Sequence, residues 1–118
     1  MLTSIKGENM TNNTYILNAI PGAVIPSKGA IIKIQPCSWS VFKRIVEGGA
    51  ISAVGHQDTA GLITALSGTS VPMNRVSIPS LEPGDVHLLA LYKGPRLPEG
   101  STTLPEGATL EPYILYVL

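Results

Sequence analysis

Short apolar runs separated by glycine, proline and charged residues follow one another along the chain and predict a mixture of strands and helices. Three runs in the first half are rich in strand-forming residues: 14–20 (TYILNAI), 30–35 (AIIKIQ) and 51–54 (ISAV). A fourth apolar run, YILYVL (113–118), stands at the other end. Short apolar runs bounded by turn residues are typical of strands, so we expect strands at 14–20, 30–35 and 113–118, whereas ISAV is a short apolar step into the segment that follows it.

Two other segments have apolar residues at helical spacing. The segment 38–49 (SWSVFKRIVEGG) begins with serines that can cap a helix and ends with two glycines that stop it. The segment 58–68 (DTAGLITALSG) begins with Asp58 or Thr59 as the cap, and Gly68 suits the position after the last turn. The predicted apolar faces consist of Trp39, Phe42, Ile45 and Val46 in the first helix and of Leu62, Ile63 and Leu66 in the second.

The remaining segments complete a fold of the α/β class. The turn signal EPGD joins 74–81 (NRVSIPSL) to 85–92 (DVHLLALY), which predicts an antiparallel strand pair. Four prolines and three glycines prevent a long stretch of regular structure in 94–112, so we expect an irregular segment there. We therefore predict a single domain over 14–118 with a single mixed β-sheet of about five or six strands flanked by short helices. Polar, aperiodic residues 1–13 are expected to form a flexible leader.

Composition and charge narrow the classes of function. The 118 residues include eight basic and eight acidic side chains, and this neutral balance argues against a protein that coats duplex nucleic acid. It does not argue against a protein that binds a small anionic ligand, because a few positioned donors suffice to bind one. Without a long apolar run or an apolar signal segment, the chain is expected to be cytoplasmic. Cys37 is the only cysteine and the two histidines lack zinc-site spacing, so we expect no disulfide within the chain, no metal and no cofactor.

Three polar motifs are candidates for chemistry: GHQDTA (55–60), MNRV (73–76) and GPRLPEG (94–100). A histidine before a helix start can exchange a proton near neutral pH beside backbone N–H groups that bind anions. Arginine can donate two hydrogen bonds to a phosphate, and a nearby glutamate can orient it. Taken one at a time, each motif favours the plainer interpretation: a solvated histidine, a solvent-facing strand arginine, and a surface ion pair between Arg96 and Glu99.

The order and spacing of the motifs together resemble one family. The runs YILNAI, SAVGHQDTAGLITALSG, VPMNRVSI, GDVHLLAL and RLPEG are similar to those of the type III anti-CRISPR ring nucleases, small proteins of archaeal viruses, phages and related mobile elements. The resemblance covers residues 14–100. It implies a homodimer that binds cyclic tetra-adenylate, the second messenger of type III CRISPR defence, across its two-fold axis. It also implies metal-independent cleavage to linear di-adenylate, which switches the defence off.

The resemblance assigns roles to particular residues. A ribose 2′-hydroxyl would attack its adjacent phosphate, His56 would protonate the leaving 5′-oxygen as general acid, and Arg96 would stabilise the phosphorane charge. Glu99 would orient Arg96 or assist the attacking hydroxyl. The positions expected to contact the substrate are Asn18, Gly55, Thr59 and Arg75.

The chain departs from the family pattern at three points. Pro21 stands where many relatives have a hydroxyl side chain, and Tyr92 stands where some have an amide. The helix that usually precedes the last strand is reduced to LPEGATLEP (104–112). These departures leave the three catalytic positions intact and bear on ligand fit and ring size.

Two other classes of function stay open at this stage. The first is a non-catalytic protein that sequesters a cyclic oligonucleotide or nucleic acid, and the second is a viral module that interacts with a host protein. A pure binding protein does not need a general acid, so His56 together with Arg96 and Glu99 favours the enzyme. An interaction module would favour exposed apolar anchors over a polar cluster.

Overall fold

The described part of the chain is residues 13–118 of a computed structural model, so the predicted leader lies outside the described residues except for Asn13. Both predicted helices are present and the predicted strands form except at 74–81, with an additional short strand at Ile51–Ser52 and one 3-10 turn at Gly22–Val24. None of the helices in this range has the length and apolarity that a membrane crossing needs. The elements are β1 (Tyr15–Leu17), β2 (Ile32–Pro36), α1 (Trp39–Glu47), β3 (Ile51–Ser52), α2 (Gln57–Ser67), β4 (Val86–Lys93) and β5 (Thr109–Val117).

The five strands form one mixed sheet in the order β2-β5-β4-β1-β3. β1 runs parallel to both of its neighbours, β3 and β4, whereas β5 runs antiparallel to β4 and β2. This topology confirms the predicted α/β fold with a single mixed sheet and short helices. It also means that the carboxyl ends of β1, β3 and β4 meet at the same edge of the sheet.

Both faces of the sheet are covered, one by the helices and the other by irregular segments. Successive residues of a strand point to opposite faces, so the adjacent pairs 16–17 in β1 and 88–89 in β4 each contribute to both cores. A strand buried on both faces is a continuous apolar run, as β1 and β4 are. The helix-side core includes Ile16, Phe42, Ile63 and Leu88, and the opposite core includes Leu17, Val24, Leu81 and Leu89.

The ends of both helices are fixed by local hydrogen bonds. Ser38 caps α1 by accepting a hydrogen bond at Oγ from the N–H of Val41 at 3.1 Å, as the sequence predicts. Gly68 adopts a left-handed conformation (φ +77°) after the last turn of α2, also as predicted. The expected cap of α2, Asp58 or Thr59, is wrong. The helix begins at Gln57, and its N-cap residue is His56.

The predicted strand over 74–81 is wrong. This segment has no regular structure; it passes around the β3 edge of the sheet, since Val71 packs on the helix side and Leu81 on the opposite side. Side-chain contacts hold it in place: Asn74 Nδ2 donates to the Ser52 carbonyl at 2.7 Å and Ser52 Oγ donates to the Pro72 carbonyl at 2.6 Å. Within 74–81, Ile78 and Leu81 pack on the opposite core and Val76 is exposed, so the alternation marks one buried face of an irregular segment and not a strand.

The partner of β4 is β5, which also corrects the prediction for 94–112. Residues 94–108 form no helix or strand, but Thr109–Pro112 already belong to β5 and pair with β4, with Lys93 opposite Thr109. Pro112 is tolerated because it lacks only its own N–H, and its carbonyl accepts from the N–H of Cys37 at 3.2 Å. The long antiparallel β4–β5 pair therefore replaces the predicted pair of 74–81 with 85–92.

Candidate functional site

Three parallel strands that are neighbours in the sheet are each followed by a segment that carries a predicted site residue. Asn18 follows β1, His56 follows β3 after a short connection, and Arg96 follows β4. Ligands of open α/β sheets bind outside the carboxyl ends of the strands. The topology therefore brings together residues that are far apart in the sequence at the edge where such folds bind ligands.

Two adjoining hollows lie at this edge and share His56, Arg96 and Leu97 in their walls. The first, the His56 hollow, has a volume of about 580 Å³, and the second, the Asn18 hollow, has a volume of about 390 Å³. The His56 hollow is lined by His56, Asp58, Arg96, Leu97, Pro98 and Glu99. The Asn18 hollow is lined by Asn18, His56, Thr59, Tyr92, Gly94, Arg96 and Leu97.

His56 lies in this site with one ring nitrogen committed to the helix. Its backbone is extended (φ −132°, ψ 125°), and Nδ1 accepts a hydrogen bond from the N–H of Thr59 at 3.4 Å. Thr59 Oγ1 lies 3.4 Å from the same nitrogen. In the neutral ring Nδ1 therefore carries no proton and Nε2 does; in the charged ring Nδ1–H can donate to Thr59 Oγ1 instead. Both protonation states have a partner for Nδ1.

The first turn of α2 also offers backbone donors. Among residues 13–118, no protein group accepts from the N–H groups of Gln57 and Asp58, whereas that of Thr59 bonds His56 and that of Ala60 bonds the His56 carbonyl at 3.0 Å. Free N–H groups at a helix start, together with the positive end of the helix dipole, attract anions. The backbone donors expected at this helix start are therefore those of Gln57 and Asp58.

Residues 94–101, here called the arginine loop, carry Arg96 and Glu99. Gly94 has φ +154°, and a Cβ there would lie 2.6 Å from the Ala108 Cβ, so the loop begins at a position that only glycine fits. The Tyr92 hydroxyl donates to the Pro95 carbonyl. At the other end the Ser101 N–H donates to the Pro98 carbonyl at 3.1 Å and closes a turn with Gly100 at φ +82°.

Arg96 and Glu99 are both exposed, and within the described range no ion pair joins them. The surface ion pair expected as the plainer interpretation is therefore not formed. Both side chains line the His56 hollow instead and can interact with a ligand there. The structure thus brings the three predicted catalytic residues, His56, Arg96 and Glu99, into one hollow.

Gly55 and Arg75 lie next to this site and contact each other. Arg75 Nε donates to the Gly55 carbonyl at 2.9 Å, and a Cβ at Gly55 would touch the Arg75 Cγ at 3.4 Å. Neither residue lines the two hollows. Gly55 does not have a positive φ, and its lack of a side chain leaves room for Arg75.

Pro21 and Tyr92, the two departures from the family pattern, lie in different surroundings. Tyr92 lines the Asn18 hollow and braces the arginine loop through its hydroxyl. Pro21 lines a separate, mainly apolar hollow of about 300 Å³ that shares only Asn18 with the site. The tyrosine therefore contributes to the shape of the site directly, whereas the proline lies to one side of it.

His87, the second histidine, is buried in β4 away from these hollows. Its Nδ1 accepts from the N–H of Tyr15 at 3.1 Å, and its Nε2 lies 3.7 Å from the Asp85 carboxylate. Burial lowers the pKa of His87 because it disfavours the charged ring, and the nearby Asp85 offsets this only in part. This buried and hydrogen-bonded environment gives His87 a structural role.

One residue of the site was missed by the sequence analysis, which considered Asp58 only as a helix cap. Asp58 lines the His56 hollow, and its Oδ2 accepts from the N–H of Gly100 at 3.1 Å. The two residues lie 42 positions apart, and no local pattern indicates such a contact. In the described part of the chain, no group of three or more histidine, cysteine or acidic side chains is arranged to hold a metal ion.

Comparison with known proteins links the chain to proteins of archaeal viruses. A family model, that of the STIV B116-like proteins, matches residues 14–111. Uncharacterized protein 26 of Sulfolobus islandicus filamentous virus (isolate Iceland/Hveragerdi) is 37% identical over 87 residues, which are 73% of this chain and 72% of that protein. The structure of B116 of Sulfolobus turreted icosahedral virus matches with a TM-score of 0.69 and 24% identity, covering 89% of this chain and 99% of that one. At this identity the structural match demonstrates a shared fold.

Proposed function

The chain belongs to the STIV B116-like family of small archaeal-virus proteins, and on that premise we propose that it is a metal-independent ring nuclease. Its substrate would be cyclic tetra-adenylate, its products linear di-adenylates, and its effect the silencing of type III CRISPR defence. The observation that carries the proposal is the convergence of His56, Arg96 and Glu99 on one hollow. His56 precedes α2, whereas Arg96 and Glu99 lie in the arginine loop, and no local sequence pattern predicts that these two segments meet.

The three side chains supply what cleavage by a ribose 2′-hydroxyl requires. The 2′-oxygen forms a bond to the adjacent phosphorus and loses its proton, and the bond from phosphorus to the 5′-oxygen breaks. The charged His56 ring gives a proton to the 5′-oxygen, for which positioned general acids contribute about 10²–10⁴-fold. The products are a 2′,3′-cyclic phosphate and a free 5′-hydroxyl, and two such cuts in the ring yield two di-adenylates.

Arg96 and Glu99 would act on the charge that develops at phosphorus. A guanidinium can donate two hydrogen bonds to phosphate oxygens, and it stays charged at any physiological pH. Exposed and without a protein ion-pair partner in the described range, Arg96 is available for that contact. The Glu99 carboxylate, in the same wall, is placed to orient the guanidinium or to accept a proton from the attacking hydroxyl.

A homodimer would explain how a neutral chain binds a ring of four phosphates. One protomer brings Arg96 to the hollow, places Arg75 beside Gly55, and leaves two backbone donors free at the start of α2. Two copies related by a two-fold axis would double this set and provide one His56 for each of the two cuts. The cyclic ligand would then lie across the axis.

The test is incubation of the purified protein with cyclic tetra-adenylate in EDTA, with products separated by chromatography. We expect linear di-adenylate to form at the same rate with and without EDTA. His56→Ala should lower the rate by about 10²–10⁴-fold while binding of the ring persists. Arg96→Ala should also slow cleavage, and Arg44→Ala, an exposed arginine of α1, serves as the matched control that should not.

The outcomes separate the alternatives. Absence of cleavage by the wild-type protein with any cyclic oligoadenylate contradicts the enzyme, and tight binding without cleavage would identify a sequestering protein. Cleavage that EDTA abolishes contradicts the metal-independent mechanism. Full activity of His56→Ala contradicts only the assignment of the general acid.

A further inference from the structure

One hydrogen bond ties the arginine loop to the helix that His56 caps. Asp58 lies in the first turn of α2, and its Oδ2 accepts from the backbone N–H of Gly100 at 3.1 Å. Its side chain is half-buried and lines the His56 hollow. Charge-assisted hydrogen bonds of this kind are stronger than neutral ones, so a single contact can bias the position of an exposed loop.

The geometry points to Asp58 as a positioning residue that latches the arginine loop onto the start of α2. The loop has a glycine near each end, Gly94 and Gly100, and between them it carries Arg96 and Glu99. Because Gly100 directly follows Glu99, a bond at its N–H fixes the peptide that follows the glutamate. The latch thereby sets where both side chains lie relative to His56. The effect of this latch on catalysis rests on the proposed function. The hydrogen bond between Asp58 and Gly100 can be measured independently of that function.

A second turn of the same sequence shows what the latch adds. Leu97-Pro98-Glu99-Gly100 and Leu104-Pro105-Glu106-Gly107 are identical tetrapeptides, and their glycines have φ +82° and +81°. Both turns close with a backbone hydrogen bond to the proline carbonyl, from Ser101 at 3.1 Å and from Ala108 at 3.0 Å. The two glycines differ in one respect: among the described contacts, the N–H of Gly100 is bonded to a side chain and that of Gly107 is not. Local sequence therefore forms the turn, and Asp58 fixes its position.

The charge of Asp58 does not explain its place in the hollow. The hollow already holds the carboxylate of Glu99, and a second acid repels the phosphates that Arg96 would attract. An acid in the first turn of a helix does favour the helix dipole, but an exposed surface position would serve that purpose equally. The hydrogen bond that Asp58 accepts from the Gly100 N–H explains why a carboxylate lies at a site that would bind an anion.

The test compares Asp58→Ala with Asp58→Asn. Both variants remove the charge, and only the asparagine keeps an oxygen that can accept from Gly100. Amide hydrogen exchange reports the latch directly: Asp58→Ala should accelerate exchange at Gly100 by on the order of tenfold, the effect of losing one such hydrogen bond. Exchange at Gly107 should be unchanged in both variants, and Asp58→Asn should retain most of the protection at Gly100. Equal exchange at Gly100 in all three proteins overturns the latch.

Activity tests what the latch is for. Asp58→Ala should lower kcat for cyclic tetra-adenylate by about 10–100-fold, the cost of misplacing catalytic groups, with KM nearly unchanged and with substantial rescue in Asp58→Asn. In a Glu99→Gln background, Asp58→Ala should add much less than it does alone, because both changes act on one loop. Additive effects, or a kcat equal to wild type in Asp58→Ala, overturn the positioning role. A wild-type protein that shows Gly100 protection but no cleavage contradicts the proposed nuclease and leaves the latch established by exchange.

Discussion

His56 and His87 make the same hydrogen bond to the backbone and differ in what surrounds the rest of the ring. In both, Nδ1 accepts a backbone N–H, from Thr59 at 3.4 Å and from Tyr15 at 3.1 Å. The His87 ring is 3% exposed, and its Nε2 faces Asp85. The ring of His56 lines the hollows that contain Arg96, and among the described residues no protein group is hydrogen-bonded to its Nε2.

The comparison shows that the second nitrogen decides what each histidine can do. His87 is buried in β4 with both ring nitrogens facing protein groups, so we assign its contribution to stability. His56 uses its backbone-bonding nitrogen to start a helix and leaves the other available beside an arginine. A histidine that is both oriented and accessible is what general acid catalysis requires.

Replacement of His56 and of His87 by alanine should affect activity and stability in opposite order. The larger of the two differences is expected in activity. We expect His56→Ala to lower the rate of ring cleavage by about 10²–10⁴-fold. His87→Ala, assayed well below its unfolding temperature, should keep the rate of the folded protein within a few-fold of wild type. Single-turnover kinetics of both variants would measure this, and a comparable loss in both would show that the two histidines are not functionally distinct.

Stability should respond in the reverse order. His87→Ala leaves the partly buried N–H of Tyr15 without its acceptor, which costs about 1–3 kcal/mol of the free energy of unfolding. His56→Ala removes an exposed helix cap, at a cost of about 0.5–2 kcal/mol. Urea denaturation measures both values. A larger loss for His56→Ala than for His87→Ala would contradict the structural role given to His87.

The two identical Leu-Pro-Glu-Gly turns provide a smaller and cleaner contrast. Glu99→Gln should slow cleavage by about tenfold or more, since Glu99 lines the His56 hollow, whereas Glu106→Gln should not change the rate. Both glutamates are exposed and occupy the same position of the same turn, so any general effect of charge loss is shared. Equal rates for the two variants would exclude Glu99 from the chemistry.

Acidification should produce the mildest effect, a gradual loss of stability through His87. The pKa of His87 is lowered from 6.5 by burial, so on acidification the unfolded chain takes up this proton before the folded protein does. Its contribution to stability is therefore complete above about pH 6.5 and declines as the pH falls towards the pKa of the folded state. The free energy of unfolding, measured from pH 7.5 downwards, should decline less steeply in His87→Asn than in wild type.

Features set by local pattern could be predicted from the sequence. The α1 cap at Ser38, the glycine stop of α2 at Gly68 and the apolar run of β4 all depend on residues close together in the chain. The predictions that failed depend on distant partners. Residues 74–81 alternate like a strand, but their apolar side chains Ile78 and Leu81 pack on one core without strand pairing. Thr109–Pro112 become a strand only because β4 supplies their hydrogen bonds.

The candidate site also has features that could be predicted from the sequence and features that could not. Its residues His56, Arg96 and Glu99 could be identified from motif order, and so could their expected proximity. The N-cap role of His56 was missed because Asp58 and Thr59, residue types that rank high as helix caps, follow it closely in the chain. The contact between Asp58 and Gly100 could not be predicted, because it joins residues 42 positions apart. The carboxyl ends of three parallel strands create the sheet edge where the site lies, and strand order is not a local property of the sequence.

The central claim is that His56 provides a proton in addition to capping α2, and one substitution separates the two roles. Asparagine is among the best N-cap residues but cannot act as a general acid near neutral pH. In His56→Asn we expect the free energy of unfolding to stay within about 0.5 kcal/mol of wild type, ring binding to persist, and cleavage of cyclic tetra-adenylate in EDTA to fall by about 10²–10⁴-fold. Cleavage by His56→Asn at the wild-type rate would contradict the account.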